Sequence, residues 1–252
     1  MRKFGWIPDI PDARDFKYSI SRPQEMATPL PPKIDLRELC PPVYDQGSIG
    51  SCTAQGIAAL LQFNRMKQGL KNFPQSRLWI YYVERMLEGT TKYDNGAQIR
   101  TGIKVVASNG APPENIWPYI ESKFAVKPPW RTWIRARRFK ASDYLRLTHT
   151  NITELKKCLA SGFPFVFGLS LYGSFMADKV TKSGIVPMPT RKEKLQGGHA
   201  MVCVGYDDSI ESFIVRNSWG PIWGIDGYCM IPYDYMTNGD LGDDYWTIRK
   251  VS

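Results

Sequence analysis

The chain of 252 residues has five cysteines and only two histidines, so thiol chemistry has few candidate residues. Cys52 stands in "DQGSIGSCTA" (45–54), a turn with two glycines that leads into residues at helical spacing from 52 to 68, closed by Gly69. A helix N-terminus favours negative charge and lowers a cysteine below its free pKa of about 8.5, which would make Cys52 a thiolate nucleophile. The same position would also suit a small buried thiol. A nucleophilic thiol needs an imidazole. His149 lies in the polar stretch "LTHTNIT" with no second polar group placed to orient it. His199 opens the strand-like "HAMVCVGYD" behind two glycines that would let another backbone approach closely, and is the better partner.

An imidazole held in one tautomer usually hydrogen-bonds an oxygen through its far nitrogen. Asn217 ends the next strand-like run, in "VRNSWG", and a hairpin would bring it beside His199. Trp219 would then cover that bond and exclude water. Alternatively Asn217 is a turn residue and Trp219 a core residue. Gln46, six residues before Cys52, could join the Cys52 N–H in holding a tetrahedral oxyanion, because the intervening "GSIGS" is flexible enough to fold back.

The elements that must position these groups divide the chain. Residues 1–33 are proline-rich and without periodicity, an extended N-terminal arm. Helical patterns follow over 52–68, 76–89 and 97–110; after "KPPW" (127–130) come short strand-like runs at 163–171, 199–207, 212–219 and 227–235. One helix, 154–162, interrupts them, with Asn151 and Glu154 at capping-box spacing. The pattern predicts an α+β fold with a cleft where the helical and β halves meet.

Composition narrows the classes further. No apolar run approaches the roughly 18 to 20 residues that span a bilayer, and "MRKFGWIPDIPDARDF" lacks the continuous apolar stretch of a secretory signal. The expected location is therefore cytoplasmic, or outside by a route without such a signal. The odd, widely spaced cysteines indicate no disulfide framework, no C-x-x-C pair suggests a metal, and no cofactor is implied. The net charge of +9 and the basic run "WRTWIRARRFK" permit contact with an anionic surface through residues 131–140. The plainer reading of that run is a solvated connecting strand.

Taken together, "Q-G-x-x-G-S-C", "G-H-A" and "N-S-W-G-x-x-W-G" occur here in an order that resembles the papain-like cysteine peptidases, in a bacterial branch, over residues 34–252. The resemblance implies a two-lobed fold, with a helical left lobe over about 34–130 and an antiparallel β-barrel right lobe over about 131–252. It implies Cys52 as nucleophile, His199 as general acid/base, Asn217 as its orienting partner and Gln46 in the oxyanion hole. It also implies substrate contacts at Gly50, Ser51, Asn95, Gly96, Ala97, Gly198 and Trp219, with protein or peptide substrates. Hydrolysis would pass through a thioester. An acyltransferase or transglutaminase-like activity with the same groups, or a binding protein on the same scaffold, are the alternatives. Family members commonly carry a disulfide where Ile49 and Asp94 stand here, which fits a reducing compartment or a fold that does without the clamp. The arm is too short for the usual helical propeptide, and its extended character suggests a segment lying across or beside the cleft. The acidic segment 238–246 is placed to approach the pocket for the second substrate residue before the cut, where aspartates would favour basic side chains.

Overall fold

A computed structural model describes residues 3–252. In chain order the elements are α1 (Tyr18–Ser21), α2 (Pro23–Ala27), β1 (Lys33–Asp35), α3 (Cys52–Lys67), α4 (Arg77–Leu87), α5 (Ile99–Ser108) and α6 (Trp130–Ala136). They continue as β2 (Ala141–Leu147), α7 (Ile152–Ala160), β3 (Phe165–Tyr172), α8 (Asp178–Ser183), β4 (Leu195–Asp207), β5 (Ser212–Arg216), β6 (Tyr228–Pro232), α9 (Tyr233–Thr237) and β7 (Gly242–Val251).

The sheet is antiparallel in the order β2-β7-β3-β4-β5-β6, with β1 added on β4. Its end strands β2 and β6 do not pair with each other, so the expected barrel is instead an open, seven-stranded sheet. Helix α3 packs across β4 and β7. It is buried on nearly every side, which its small residues permit: a Cβ on Gly56 would come within 2.8 Å of Val166 on β3. Ser76 caps α4 by accepting the Trp79 N–H at 3.1 Å, and Asn151 caps α7 by accepting the Glu154 N–H at 3.2 Å. The Glu154 side chain does not complete a capping box; it reaches back to the Thr148 N–H at 2.9 Å.

Three segments depart from the sequence reading. The run 130–140 is no connecting strand. It begins as helix α6 directly after Pro128 and Pro129, burying Thr132 and Ala136 and leaving Arg131, Arg135, Arg137 and Arg138 exposed. Strand β7 was hidden by its aspartates, yet it pairs on both edges and buries Tyr245, Trp246 and Ile248. The arm is extended only to about residue 16. It then forms α1 and α2, where buried Tyr18 donates to Glu25 at 2.7 Å and Arg249 of β7 holds the same carboxylate.

Candidate active site

The turn before α3 is folded by its own side chains. Asp45 accepts the Gly47 N–H at 2.8 Å, and Gly47 takes the left-handed φ of 63° that a side chain would resist. Gln46 is fully buried: its backbone N–H donates to the Ser218 carbonyl at 2.9 Å, and its Oε1 accepts the Ser218 hydroxyl at 2.8 Å. Ser218 was not singled out in the sequence, although its place between Asn217 and Trp219 was the available signal. Cys52 is the first residue of α3, and its Sγ accepts the Ala200 N–H at 3.3 Å.

Antiparallel pairing of β4 with β5 sets Val202 opposite Arg216, which brings the start of β4 level with the residues just past β5. There His199 Nε2 lies 2.9 Å from Asn217 Oδ1, both residues buried. The same Oδ1 accepts the Ser218 N–H at 2.8 Å, so the oxygen faces the ring and Nε2 carries the imidazole proton. Trp219 covers the pair, its ring centroid 5.0 Å from that of His199. His149 lies elsewhere, with Nδ1 3.2 Å from Asp243, a polar partner that sequence reasoning did not foresee.

The arm runs through this place. The Ala97 N–H donates to the Gly5 carbonyl at 2.8 Å and the Ile7 N–H to the Ala97 carbonyl at 3.1 Å, a parallel bridge centred on Trp6. The Trp6 N–H donates to the Gly198 carbonyl at 2.9 Å, and Gln46 Nε2 donates to the Lys3 carbonyl at 3.1 Å. Phe4 packs on both His199 and Trp219. Gly5 passes so close to Gly50 that a Cβ on it would lie 1.8 Å from the Gly50 carbonyl oxygen. Among the expected substrate contacts, Gly50, Gly96, Ala97, Gly198 and Trp219 thus line the track of the arm. Asn95 is exposed, and Ser51 is turned inward, its hydroxyl 2.6 Å from that of Tyr119.

Burial under the arm reverses one electrostatic expectation. The helix start was expected to lower the Cys52 thiol. Instead desolvation pushes it up to about 11, against the smaller opposite pull of the N–H groups of Ala200, Gly5 and Thr53. Thr53 donates to Glu84 at 2.9 Å, and burial holds that carboxyl well above the usual range. Asp94, in the place of a family disulfide partner, accepts the Gly50 N–H at 2.9 Å and the Tyr81 hydroxyl at 2.6 Å. A carboxylate therefore joins the two segments that a covalent clamp would join. Among the described residues no group of acidic, histidine or cysteine side chains could hold a metal ion, and no helix is long and apolar enough to cross a membrane.

A model of the papain family cysteine proteases matches residues 30–247. The chain belongs to the papain family. Within the papain family it is 44% identical to xylellain, a cysteine protease from Xylella fastidiosa, whose crystal structure superposes with a TM-score of 0.91 over 99% of this chain and 96% of that one. An uncharacterized peptidase C1-like protein of Acanthamoeba polyphaga mimivirus is 41% identical, covering 100% of this chain and 88% of that protein. A cathepsin B-like protein of Giardia intestinalis is 28% identical over 84% of this chain and 73% of its own length. The chain is accordingly a papain-like cysteine peptidase of the α+β class.

Proposed function

We propose that this peptidase cleaves peptide bonds through a Cys52 thioester. The Cys52 thiol gives its proton to His199, the resulting thiolate attacks the carbonyl carbon, and Gln46 Nε2 with the Cys52 N–H holds the oxyanion. His199 then gives its proton to the leaving amine, takes one from water, and the resulting hydroxide releases the acid and regenerates the thiol. Asn217 keeps the imidazole in one tautomer. The observation that carries this reading is the buried 2.9 Å contact of His199 Nε2 with Asn217 Oδ1, one residue from the Ala200 N–H that holds Cys52 Sγ.

The same reading makes the arm a self-inhibitory segment. The group that the arm turns toward the sulfur is the Gly5 N–H, a donor, where a substrate would present an electrophilic carbon. The Lys3 carbonyl meanwhile occupies the Gln46 amide that an oxyanion would use. Removal of the whole arm is a poor test, since Tyr18, Glu25 and β1 belong to the fold. Gly5→Ala is gentler, because it leaves the rest of the arm in place and puts its new Cβ against the Gly50 backbone. Labelling the full chain with a peptidyl vinyl sulfone, followed by mass spectrometry, should modify Cys52 alone, faster in Gly5→Ala and not in His199→Ala. Label spread over all five cysteines would refute the Cys52 assignment, and an unchanged rate in Gly5→Ala would refute the role of the arm. Product analysis with added amine should show hydrolysis; an amide product would mean acyl transfer.

A further inference from the structure

Helix α6 turns to solvent a face that its neighbours in the fold do not use. Its inward side is satisfied: Thr132 and Ala136 are buried, and Trp133 packs its ring on Trp79 with centroids 5.2 Å apart. One turn apart on the outward side stand Trp130 and Ile134, 66% and 54% exposed, with Val126 exposed just before them. Arg131 and Arg135 form the adjoining row, and the Arg131 guanidinium lies 5.6 Å from the Trp130 ring centroid. Between Ser122 and Ser142 the chain carries seven lysines and arginines and no acidic residue. None of those seven is ion-paired among the described residues. Arg135 also lines a hollow of about 490 Å³ together with Arg65 and Lys71, whose one carboxylate, Glu114, is held by Arg77 at 2.6 Å.

We propose that this face docks the peptidase on an anionic lipid bilayer, with Trp130 and Ile134 entering the headgroup boundary while the arginines beside them meet lipid phosphates. A basic run that served only to be solvated would keep its charges in water and turn its apolar side chains inward. Here the apolar side chains stand outside among the cations. That is the arrangement an interface rewards: an indole and an aliphatic chain at headgroup depth, flanked by guanidinium groups that the negative surface attracts. The hollow beside the helix adds a recess where Arg65, Lys71 and Arg135 can surround one headgroup phosphate, since its only carboxylate is already engaged. Nucleic acid would draw on the same cations and could stack on Trp130, but it would leave Ile134 and Val126 in water, because aliphatic chains offer a base no π-face. The lipid surface accounts for both kinds of side chain.

The test is flotation of the full chain with two kinds of vesicle, phosphatidylcholine alone and a roughly 2:1 mixture of phosphatidylcholine and phosphatidylglycerol. Wild type should rise with the mixed vesicles and stay behind from the neutral ones. Each arginine near an anionic surface contributes about fivefold, so Arg131→Gln combined with Arg135→Gln should weaken binding about 25-fold. Trp130→Ala combined with Ile134→Ser keeps every charge and should still weaken it about tenfold or more, which separates insertion from charge attraction. All four side chains are exposed, so the fold does not depend on them. No binding to the mixed vesicles, equal binding to both kinds, or undiminished binding by either double variant would overturn the proposal. Tighter binding to a DNA duplex than to the mixed vesicles, unaffected by Ile134→Ser, would overturn it in favour of nucleic acid.

Discussion

The Gln46 carboxamide is held from one side by the Ser218 hydroxyl on Oε1 and spends its Nε2 on the carbonyls of Lys3 and Ile49. A donor already aimed by its neighbours costs little reorganisation when an oxyanion forms. Gln46→Ala should therefore lower kcat by about 10²- to 10³-fold with a smaller change in KM, as for other single oxyanion donors. Measured as kcat for a saturating peptide, a loss below tenfold would remove Gln46 from the oxyanion site. Cys52 offers a second check. Its thiol is pushed up to about 11 by burial, so alkylation should titrate high in the docked enzyme and at lower pH in Gly5→Ala, where water returns to the sulfur. Identical alkylation profiles would mean that something other than the arm dries the site.

At the scale of elements, the arm is locked by a carboxyl pair as well as by backbone pairing. Asp9 faces Asp244 on β7, with Arg100 of α5 and Arg146 of β2 3.8 and 4.0 Å from its Oδ2 and with Asp15, Asp243 and His149 around them. Burial, then Asp244, raise the Asp9 carboxyl to about 8, against the pull of Arg100 and Arg146. A carboxyl with a higher pKa docked than free favours docking at pH below its free value near 4, and that contribution is lost as pH rises to about 8. Docking should thus be tightest in acid and weaken by up to about 1.4 kcal/mol per pH unit across that window. Asp9→Asn mimics the neutral form. The wild-type to variant ratio of peptide turnover should be near one at about pH 4.5 and climb toward pH 8. A ratio flat with pH would sink the latch.

For the whole molecule, integrity rests on packing, hydrogen bonds and ion pairs without a disulfide, because all five cysteines are free thiols. The thermal midpoint should be the same with and without reductant, and a fall on reduction would reveal a disulfide absent from this structure. Asp94 supplies the link between the nucleophile turn and the strip at 95–97. Asp94→Ala leaves the Gly50 N–H and the Tyr81 hydroxyl without their acceptor, and should cost about 1–3 kcal/mol in denaturant unfolding.

The amino-acid order by itself determined the helical first half, the strands around His199 and the short list of chemistry-bearing residues, because local periodicity and two histidines leave little choice. It could not show β7 as a strand or 130–136 as a helix, since charged residues mask the pattern there and only neighbours on both edges, or a buried Thr132 and Ala136, settle the form. Nor could it show that Ser218 holds Gln46, that Asp94 replaces a clamp, or that Asp9 meets Asp244 across 235 residues of chain. Those contacts exist only once residues far apart in the chain are folded together, and the last of them only once the arm is laid into the cleft. The protonation of Cys52 was decided there as well: a helix start argues for a thiolate, and the burial that outweighs it belongs to the folded molecule.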